Sequence, residues 1–347
     1  MLPESCVAVI LAGGIGERFW PLSTPARPKQ LLKLNDPDKS LLQEAVERIE
    51  TLVGSDNVFL ATGEVVARAV SASELVPSSH ILVEPEARNT LGALAWAASQ
   101  LRTRGYSDST VMAVLTADHA ISPTERFRDT VTRALALAES TDGLVTIGIP
   151  PTRSETGYGY IQRGEAVEGG FKVRRFAEKP SLEVAQSFVE SGEYVWNSGM
   201  FFWRLGAFLR ELREHQPEVA ALVDVLDQDP DSFLKIPSHP IDRALMERSK
   251  HIFVVDADFE WDDVGSWDAL ARTFPADETG NVKVGPVSPL HSSSCIAYSE
   301  GIPIGLIGVE DLIVVATPEG VLVCHRDQAQ RVREMLATMK ETTPRSL

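Results

Sequence analysis

From Cys6 onward, short apolar runs alternate with longer amphipathic stretches: CVAVILAGG and then LLQEAVERIETL, NVFLAT, HILVEP and then TLGALAWAASQLRTRG, TVMAVLTADH and then ERFRDTVTRALALAES, and finally GLVTIGI. Short runs without polar interruption suit strands covered on both faces, and the stretches between them carry the period of a helix that buries one side. The alternation predicts an α/β fold, a largely parallel sheet with helices packed on it. Ser40 followed by Gln43 has the spacing of a capping box at the start of the first helix, and Thr90 is placed to cap another. After GLVTIGI the pattern becomes mixed. YGYIQRGE, FKVRRFAEKP, YVWNSGMFFWR and HIFVVDAD read as strands, SLEVAQSFVESG as a helix, Leu205 to Leu226 as a longer helical stretch and IDRALMERSK as a short helix. This half is expected to share the sheet of the first. After Trp267, Val/Ile segments recur at short intervals between Gly and Pro turns, the pattern of a small all-β module. The charged stretch DQAQRVREMLATMKETT closes it as a helix.

Charge and cysteine content narrow the partners. The chain carries 33 basic and 49 acidic side chains, a net charge of −16 over 347 residues, with no Lys/Arg-rich run. A nucleic-acid or anionic-membrane partner needs a basic footprint, so neither is expected, and an anionic ligand must meet a local cluster of cations. Cys6, Cys295 and Cys324 lack metal-ligand spacing and are too few for a disulfide framework, so they read as reduced, small buried hydrophobes. No apolar run approaches the roughly 20 residues of a membrane span, and Cys6 to Leu11 is too short and lacks the basic flank of a signal sequence. A cytoplasmic location is expected.

The first strand runs into LAGGIGERFWPLSTPARPKQLLKL. Glycines 13, 14 and 16 let the backbone approach an anion with N–H groups turned toward it. Arg18 and Lys29 add positive charge, so the segment reads as a phosphate cradle. A structural tight turn accounts for the glycines equally well on their own. In Gly14-Ile15-Gly16-Glu17-Arg18-Phe19 a Phe stands where a dinucleotide fingerprint has its third Gly, and the Gly-Lys-Ser/Thr of a nucleoside-triphosphatase loop is absent. Asp118 follows the strand TVMAVLTA, at the carboxyl end where open α/β sheets bind ligands. A carboxylate there, with phosphate oxygens and water, suits Mg²⁺; a solvated turn residue is the alternative.

Eight blocks occur in order: LAGGIGERFWPLS with PKQ, EPEARNT, TADHAI, GIPPTRSETGYGYI, FAEKP, YVWNSGMF, IDRALME and WDDVGSW. Over residues 6–270 the chain thereby resembles the sugar-nucleotide pyrophosphorylases, and within them the mannose-1-phosphate guanylyltransferases. The resemblance implies a Rossmann-like mixed, mostly parallel sheet flanked by helices, the nucleotide-diphospho-sugar transferase fold, in residues 1–275. It also implies a small left-handed β-helix-like module with a terminal helix in residues 276–347, of the kind used for self-association as a homodimer. The implied activity is Mg²⁺-dependent transfer of GMP from GTP to α-D-mannose 1-phosphate, giving GDP-mannose and pyrophosphate; the same chemistry with another nucleoside triphosphate or sugar 1-phosphate, such as manno-heptose or glucose 1-phosphate, and a non-catalytic subunit that senses nucleotide sugars are the alternatives.

Carried over position by position, the resemblance makes Asp118 and Asp263 the metal pair, passing over the adjacent Asp262. Arg18 and Lys29 fall on the pyrophosphate side and Lys179 on the sugar-phosphate side, as the catalytic cations. The nucleotide falls to Leu11, Ala12, Gly13, Gly14, Gly16, Glu84, Arg88, Asn89, Thr90 and Asp118, and the sugar to Gly157, Tyr158, Gly159, Glu178 and Asn197. Plainer readings stand beside these: an ion pair between Glu84 and Arg88, hairpin glycines at 157 and 159, a turn-forming Asn197, an orienting His119, and Trp196, Trp203, Trp261 and Trp267 as core. Three positions depart from the family pattern. Leu91-Gly92-Ala93 stands in place of Ala-Pro-Ala, Thr116 where Pro is usual, and Arg243 where Tyr is expected. The first and third bear on base or sugar preference, and none removes a needed cation or carboxylate. The long members of the family add a cupin-type isomerase domain for which this chain leaves no room, so transfer without isomerase activity is expected.

Overall fold

The computed structural model describes residues 2–36 and 38–342. They group into two compact units, each assembled from separated stretches of chain: one holds residues up to Gly13, Ala45–Ala117 and Ile121–Trp261, the other Gly14–Glu44, Asp118–Ala120 and residues from Asp262 onward.

In the first unit nine strands form one sheet. They are β1 (Cys6–Leu11), β2 (Val58–Gly63), β3 (Ile81–Glu84), β4 (Val111–Thr116), β5 (Leu144–Ile149), β6 (Gly159–Val167), β7 (Gly170–Glu178), β8 (Tyr194–Arg204) and β9 (Ile252–Asp256), in the spatial order β3-β2-β1-β4-β8-β5-β9-β7-β6. β3, β2, β1 and β4 run parallel, as does β5 with β9. β8 enters antiparallel between β4 and β5, and the β6–β7 hairpin adds an antiparallel edge. The strands expected from unbroken apolar runs are buried residue after residue, as in Val7–Ile10 and Val111–Leu115, which is what coverage of both faces requires. α2 (Glu64–Ser73), α3 (Asn89–Thr103) and α4 (Thr124–Thr141) follow β2, β3 and β4; α5 (Leu182–Ser191) follows β7, and α6 (Leu205–His215) with α7 (Pro217–Val223) follows β8. The helix α1 (Leu41–Val53) opens as its capping signal predicts, with the Gln43 N–H donating to Ser40 Oγ at 3.2 Å.

Three local expectations are corrected. The helical stretch from Leu205 to Leu226 is two helices, because Pro217 has no N–H for an internal bond and takes the first position of α7. IDRALMERSK forms only a five-residue π-type turn at Asp242–Met246. Thr90 does not cap α3: the helix begins at Asn89, and Thr90 Oγ1 accepts instead from the Ile241 N–H at 2.7 Å.

β1 and β4 are paired to their ends, Leu11 opposite Thr116. The chain order turns back between these two strands, so their carboxyl ends mark the switch point where such sheets bind ligands. Beyond it the Ala12 N–H donates to Ala61 O at 2.9 Å and Thr62 Oγ1 donates to Ala12 O at 2.6 Å, fixing the entry to the glycine-rich loop.

The second unit contains the β-rich tail. β10 (Val282–Val284), β12 (Ile296–Ser299) and β14 (Leu312–Thr317) stack in parallel, β11 (Val287–Leu290) and β13 (Ile304–Ile307) form a second parallel face, and β15 (Gly320–His325) closes the first face antiparallel. Val282 lies opposite Ile296, and Ile296 opposite Ile313, so successive coils differ in length and leave only a faint repeat in the sequence. The short helix α8 (Leu270–Thr273) precedes the coils, and the terminal stretch enters through a 3₁₀ segment, Arg326–Arg331, before α9 (Val332–Thr342). One core joins Phe19, Trp20, Leu22, Leu32 and Leu34 of the loop region to Val264, Trp267, Ile296, Tyr298, Ile313 and Leu322. Compactness thus groups the glycine-rich loop with the tail.

Candidate active site

In the second unit the loop Gly14–Gly16 runs into a 3₁₀ turn at Glu17–Phe19, and a second such turn presents Lys29. Gly16 sits at φ +82°, and a Cβ there would lie 2.3 Å from Lys29 Cβ, so both the backbone angle and the close approach demand glycine. The Lys29 N–H donates to Ile15 O at 2.8 Å and Gln30 Nε2 to Gly14 O at 2.8 Å, tying the loop to the lysine turn. Lys29 is only 6% exposed. Its ammonium donates to Asp118 Oδ2 at 2.8 Å and to the backbone oxygen of Asp263 at 2.9 Å, which ties the carboxylate of one sequence-predicted metal ligand and the main chain of the other to one cation. Burial disfavours ionisation of Asp118, but the charge of Lys29, then that of His119, and the Lys29 hydrogen bond outweigh it and hold the carboxyl below its ordinary range. Asp118 thus offers a hard oxygen donor beside a fixed positive charge, and the side chain of Asp263 is of the same donor type, chemistry that suits a divalent cation such as Mg²⁺.

Val264 adopts φ +45°, a conformation costly for a β-branched residue, and is fully buried. Neighbouring bonds over-determine it: its N–H donates to Asp262 Oδ1 at 2.8 Å, and Arg18 Nη1 donates to Gly265 O at 3.0 Å. Asp262 also pairs with Arg272, at 3.2 Å from Nη2, so it works as a structural brace. A Cβ on Gly265 would stand 2.9 Å from Asp263 Oδ2, so glycine there leaves room for that carboxylate.

In the first unit the sugar-predicted residues converge. Gly159 is paired with Glu178 across β6 and β7, and a Cβ on Gly159 would meet Glu178 Oε2 at 2.7 Å and Asn197 Cβ at 3.3 Å. Asn197 accepts from Thr146 Oγ1 at 3.0 Å and donates through Nδ2 to Asp242 Oδ1 at 2.8 Å. Lys179 Nζ stands 3.3 Å from Glu178 Oε1, and its backbone takes φ +50° just beyond β7. Tyr158 meets Trp196 and Trp261 edge to face at 5.1 and 5.2 Å, and Arg153 lies over both Tyr158 and Trp196. Gly157 receives the Glu155 carboxylate on its N–H at 3.0 Å. Trp196, Trp203 and Trp267 are core as read, whereas Trp261 is half-buried against Tyr158.

Asp242, Glu247 and Arg153 were not singled out. Burial, then the negative charge of Glu178, pushes Asp242 up to about 7, and Glu247 Oε1 accepts from the Glu178 N–H at 2.9 Å. Asp242 and Glu247 lie in the IDRALME block and Arg153 in the PPTRSETGYGYI block.

The predicted base-reading residues occupy the end of β3 and the start of α3. Glu84 is buried, and burial pushes its carboxyl up to about 7. The alternative pairing of Glu84 with Arg88 is overturned: Arg88 Nη2 binds Glu86 Oε2 at 2.6 Å, because the chain turns between residues 84 and 88 and brings the exposed Glu86 to it. Asn89 holds φ +58° and accepts the Thr90 N–H at 2.8 Å. A Cβ on Gly92 would lie 2.4 Å from Arg88 Cβ, so this departure from the family pattern lets Arg88 pack onto α3.

Residues 7–280 match the nucleotidyl transferase family. The chain belongs to that family and is an enzyme of the nucleotidyltransferase class. Residues 287–339 match the MannoseP isomerase/GMP-like beta-helix domain, the module seen in β10–β15. The chain is similar to the mannose-1-phosphate guanylyltransferase ManC of Salmonella typhimurium, with 38% identity over 96% of this chain and 72% of that protein. It is also similar to the xanthan biosynthesis protein XanB of Xanthomonas campestris, with 41% identity over 96% and 73%. A crystal structure described as a mannose-1-phosphate geranyltransferase from Thermus thermophilus superimposes with a TM-score of 0.89 at 31% identity, covering 97% of this chain and 99% of that one. Among the described residues no helix is long and apolar enough to cross a membrane.

Proposed function

We propose that the chain transfers GMP from GTP to α-D-mannose 1-phosphate, releasing pyrophosphate and forming GDP-mannose, with Mg²⁺ as the metal. The single observation that carries this is the Lys29 ammonium joining Asp118 and Asp263 beside a glycine-rich loop, in a nucleotidyltransferase whose curated relatives are named for this reaction. A phosphomonoester has a second pKa of about 6, so mannose 1-phosphate is already a dianionic nucleophile at neutral pH and no general base is needed. Its phosphate oxygen forms a bond to the α-phosphorus of GTP as the α–β bridging P–O bond breaks, and the electron pair leaves with pyrophosphate. Asp118 and Asp263 would hold Mg²⁺, which when bound neutralises charge on the phosphates. Lys29 keeps Asp118 ionised and holds the main chain at Asp263; the exposed Arg18 and the loop N–H groups of Gly14 and Gly16 meet the departing pyrophosphate. Glu178, Asn197 and the backbone of Gly157–Gly159 bind the sugar hydroxyls, with Lys179 on the sugar phosphate. Glu84, when ionised, is an acceptor suited to the adjacent ring N–H and amino group of guanine.

Pyrophosphate release is measured with Mg²⁺, four nucleoside triphosphates, and mannose, glucose or heptose 1-phosphate. Release confined to GTP with mannose 1-phosphate is expected, together with its loss in Asp118→Ala and Asp263→Ala proteins that remain folded. Release with another pair overturns the specificity. GDP-mannose binding without release from any pair overturns catalysis, and full activity in both variants overturns the metal assignment.

A further inference from the structure

The buried face of α6 is apolar except at one position: Leu205, Phe208, Leu209 and Leu212 share it with Glu211, which is 1% exposed. A carboxylate in such a row is costly unless hydrogen-bonded or neutralised. Glu211 Oε2 has no hydrogen-bond partner among the described residues. The nearest opposite group is His215 Nε2, one helical turn on and 3.5 Å away, and Glu214 Oε1 lies 3.9 Å from the same nitrogen. Both separations exceed a normal N–H···O bond. They resemble the spacing of ligands around a shared ion instead: donors about 2.1 Å from a tetrahedral metal stand about 3.4 Å apart. The donor atoms of all three residues lie within 4.8 Å of one another.

We propose that Glu211, Glu214 and His215 bind a divalent transition-metal ion of the Zn²⁺ type, with water completing the tetrahedron. One imidazole and two carboxylates suit Zn²⁺ or Co²⁺, whereas Mg²⁺ takes an octahedron of oxygens. Two carboxylates and a doubly charged ion sum to neutrality, which resolves the stranded charge of Glu211, and the negative end of the α6 dipole favours a cation there. The ion fastens the α6–α7 junction, where Gln216 Nε2 donates to Ala244 O at 3.0 Å in the turn that carries Asp242. Its role is structural and independent of the transfer reaction.

The test uses the full chain carrying Asp118→Asn and Asp263→Asn, so that those carboxylates cannot supply the signal. After chelator treatment it is titrated with Co²⁺ and Zn²⁺, following Co²⁺ visible absorption and bound metal by mass spectrometry. One equivalent with the spectrum of tetrahedral Co²⁺ is expected, displaced by Zn²⁺ and untouched by excess Mg²⁺. Adding His215→Ala, or Glu214→Gln at the 65% exposed side chain where folding is not at stake, is expected to weaken binding more than about tenfold. Absence of stoichiometric uptake, or uptake unchanged in the Glu214→Gln protein, overturns the assignment.

Discussion

Replacing Lys29 with Met keeps an apolar stem of similar length and removes the ammonium that donates to Asp118 Oδ2 and Asp263 O at 2.8 and 2.9 Å. Charge-assisted bonds contribute about 1.5–3 kcal/mol each, and stranding one member of a fully buried pair costs about 3–5 kcal/mol. Asp118 keeps 35% of its side chain exposed, so solvent screens the pair, and a loss of about 2 kcal/mol at pH 7 is expected. The pH dependence carries the sharper prediction. Lys29 holds the folded Asp118 below its unfolded value of about 3.9, so the pair stabilises the fold above that pH and ceases to as pH falls through the lower folded value. Without Lys29, burial dominates and raises the Asp118 pKa, so the ionised carboxylate destabilises the variant at neutral pH and protonation relieves it on acidification. The gap between the two proteins is therefore largest near neutrality and narrows toward about pH 4. Urea titrations at pH 7 and pH 4, with Asp118→Asn closing a double-mutant cycle, measure both the gap and the coupling. An equal gap at the two pH values, or a coupling of zero, would refute the account of this cluster.

Other perturbations separate stability from chemistry. Gly265→Ala places a Cβ 2.9 Å from Asp263 Oδ2, the movable end of a side chain. Turnover should fall more than about tenfold while stability changes by less than about 1 kcal/mol, and unchanged steady-state kinetics would show that the Asp263 position is immaterial. Asp242→Asn retains an acceptor for Asn197 and removes a carboxyl that burial and Glu178 push up to about 7. Above about pH 3.9 the folded protein holds a proton the unfolded chain has lost, so this group's contribution declines until pH reaches its folded value. The variant should gain on the wild type from pH 5 to pH 8 in denaturant titrations; a pH-independent difference counts against the buried carboxyl pair.

How much could be read in advance differs between the units for a physical reason. β1, β2, β4 and β5 were legible because strands covered on both faces must be apolar without interruption, a local property. The break at Pro217 is equally local, because proline cannot continue the bonding of α6. The placing of Arg18, Lys29, Asp118 and Asp263 in one unit was not local at all. It depends on Phe19 and Trp20 packing against Trp267, and on unequal coils that blur the repeat of the tail. Asp242 was hidden for a related reason: its role arises from the nearness of Glu178, far away in sequence.

That dependence makes a final prediction, concerning removal of residues 276–347. A tail that serves association alone would leave the loop intact when deleted. Trp267, however, donates to Trp20 O at 3.1 Å and stacks at an angle on both Phe19 and Tyr298, while Ile296, Ile313 and Leu322 fill the same core and Arg27 pairs with Glu300. Each large apolar side chain that loses its cover forfeits about 1.5–3 kcal/mol, so losing several neighbours exceeds what the loop's own bonds can offset. The truncated chain should therefore lose turnover and become cleavable by protease within residues 14–44, with the sheet of the first unit still protected. Retained turnover with a protease-resistant loop would show that the segment carrying Lys29 is held by its own hydrogen bonds, and that the tail core is incidental to the chemistry.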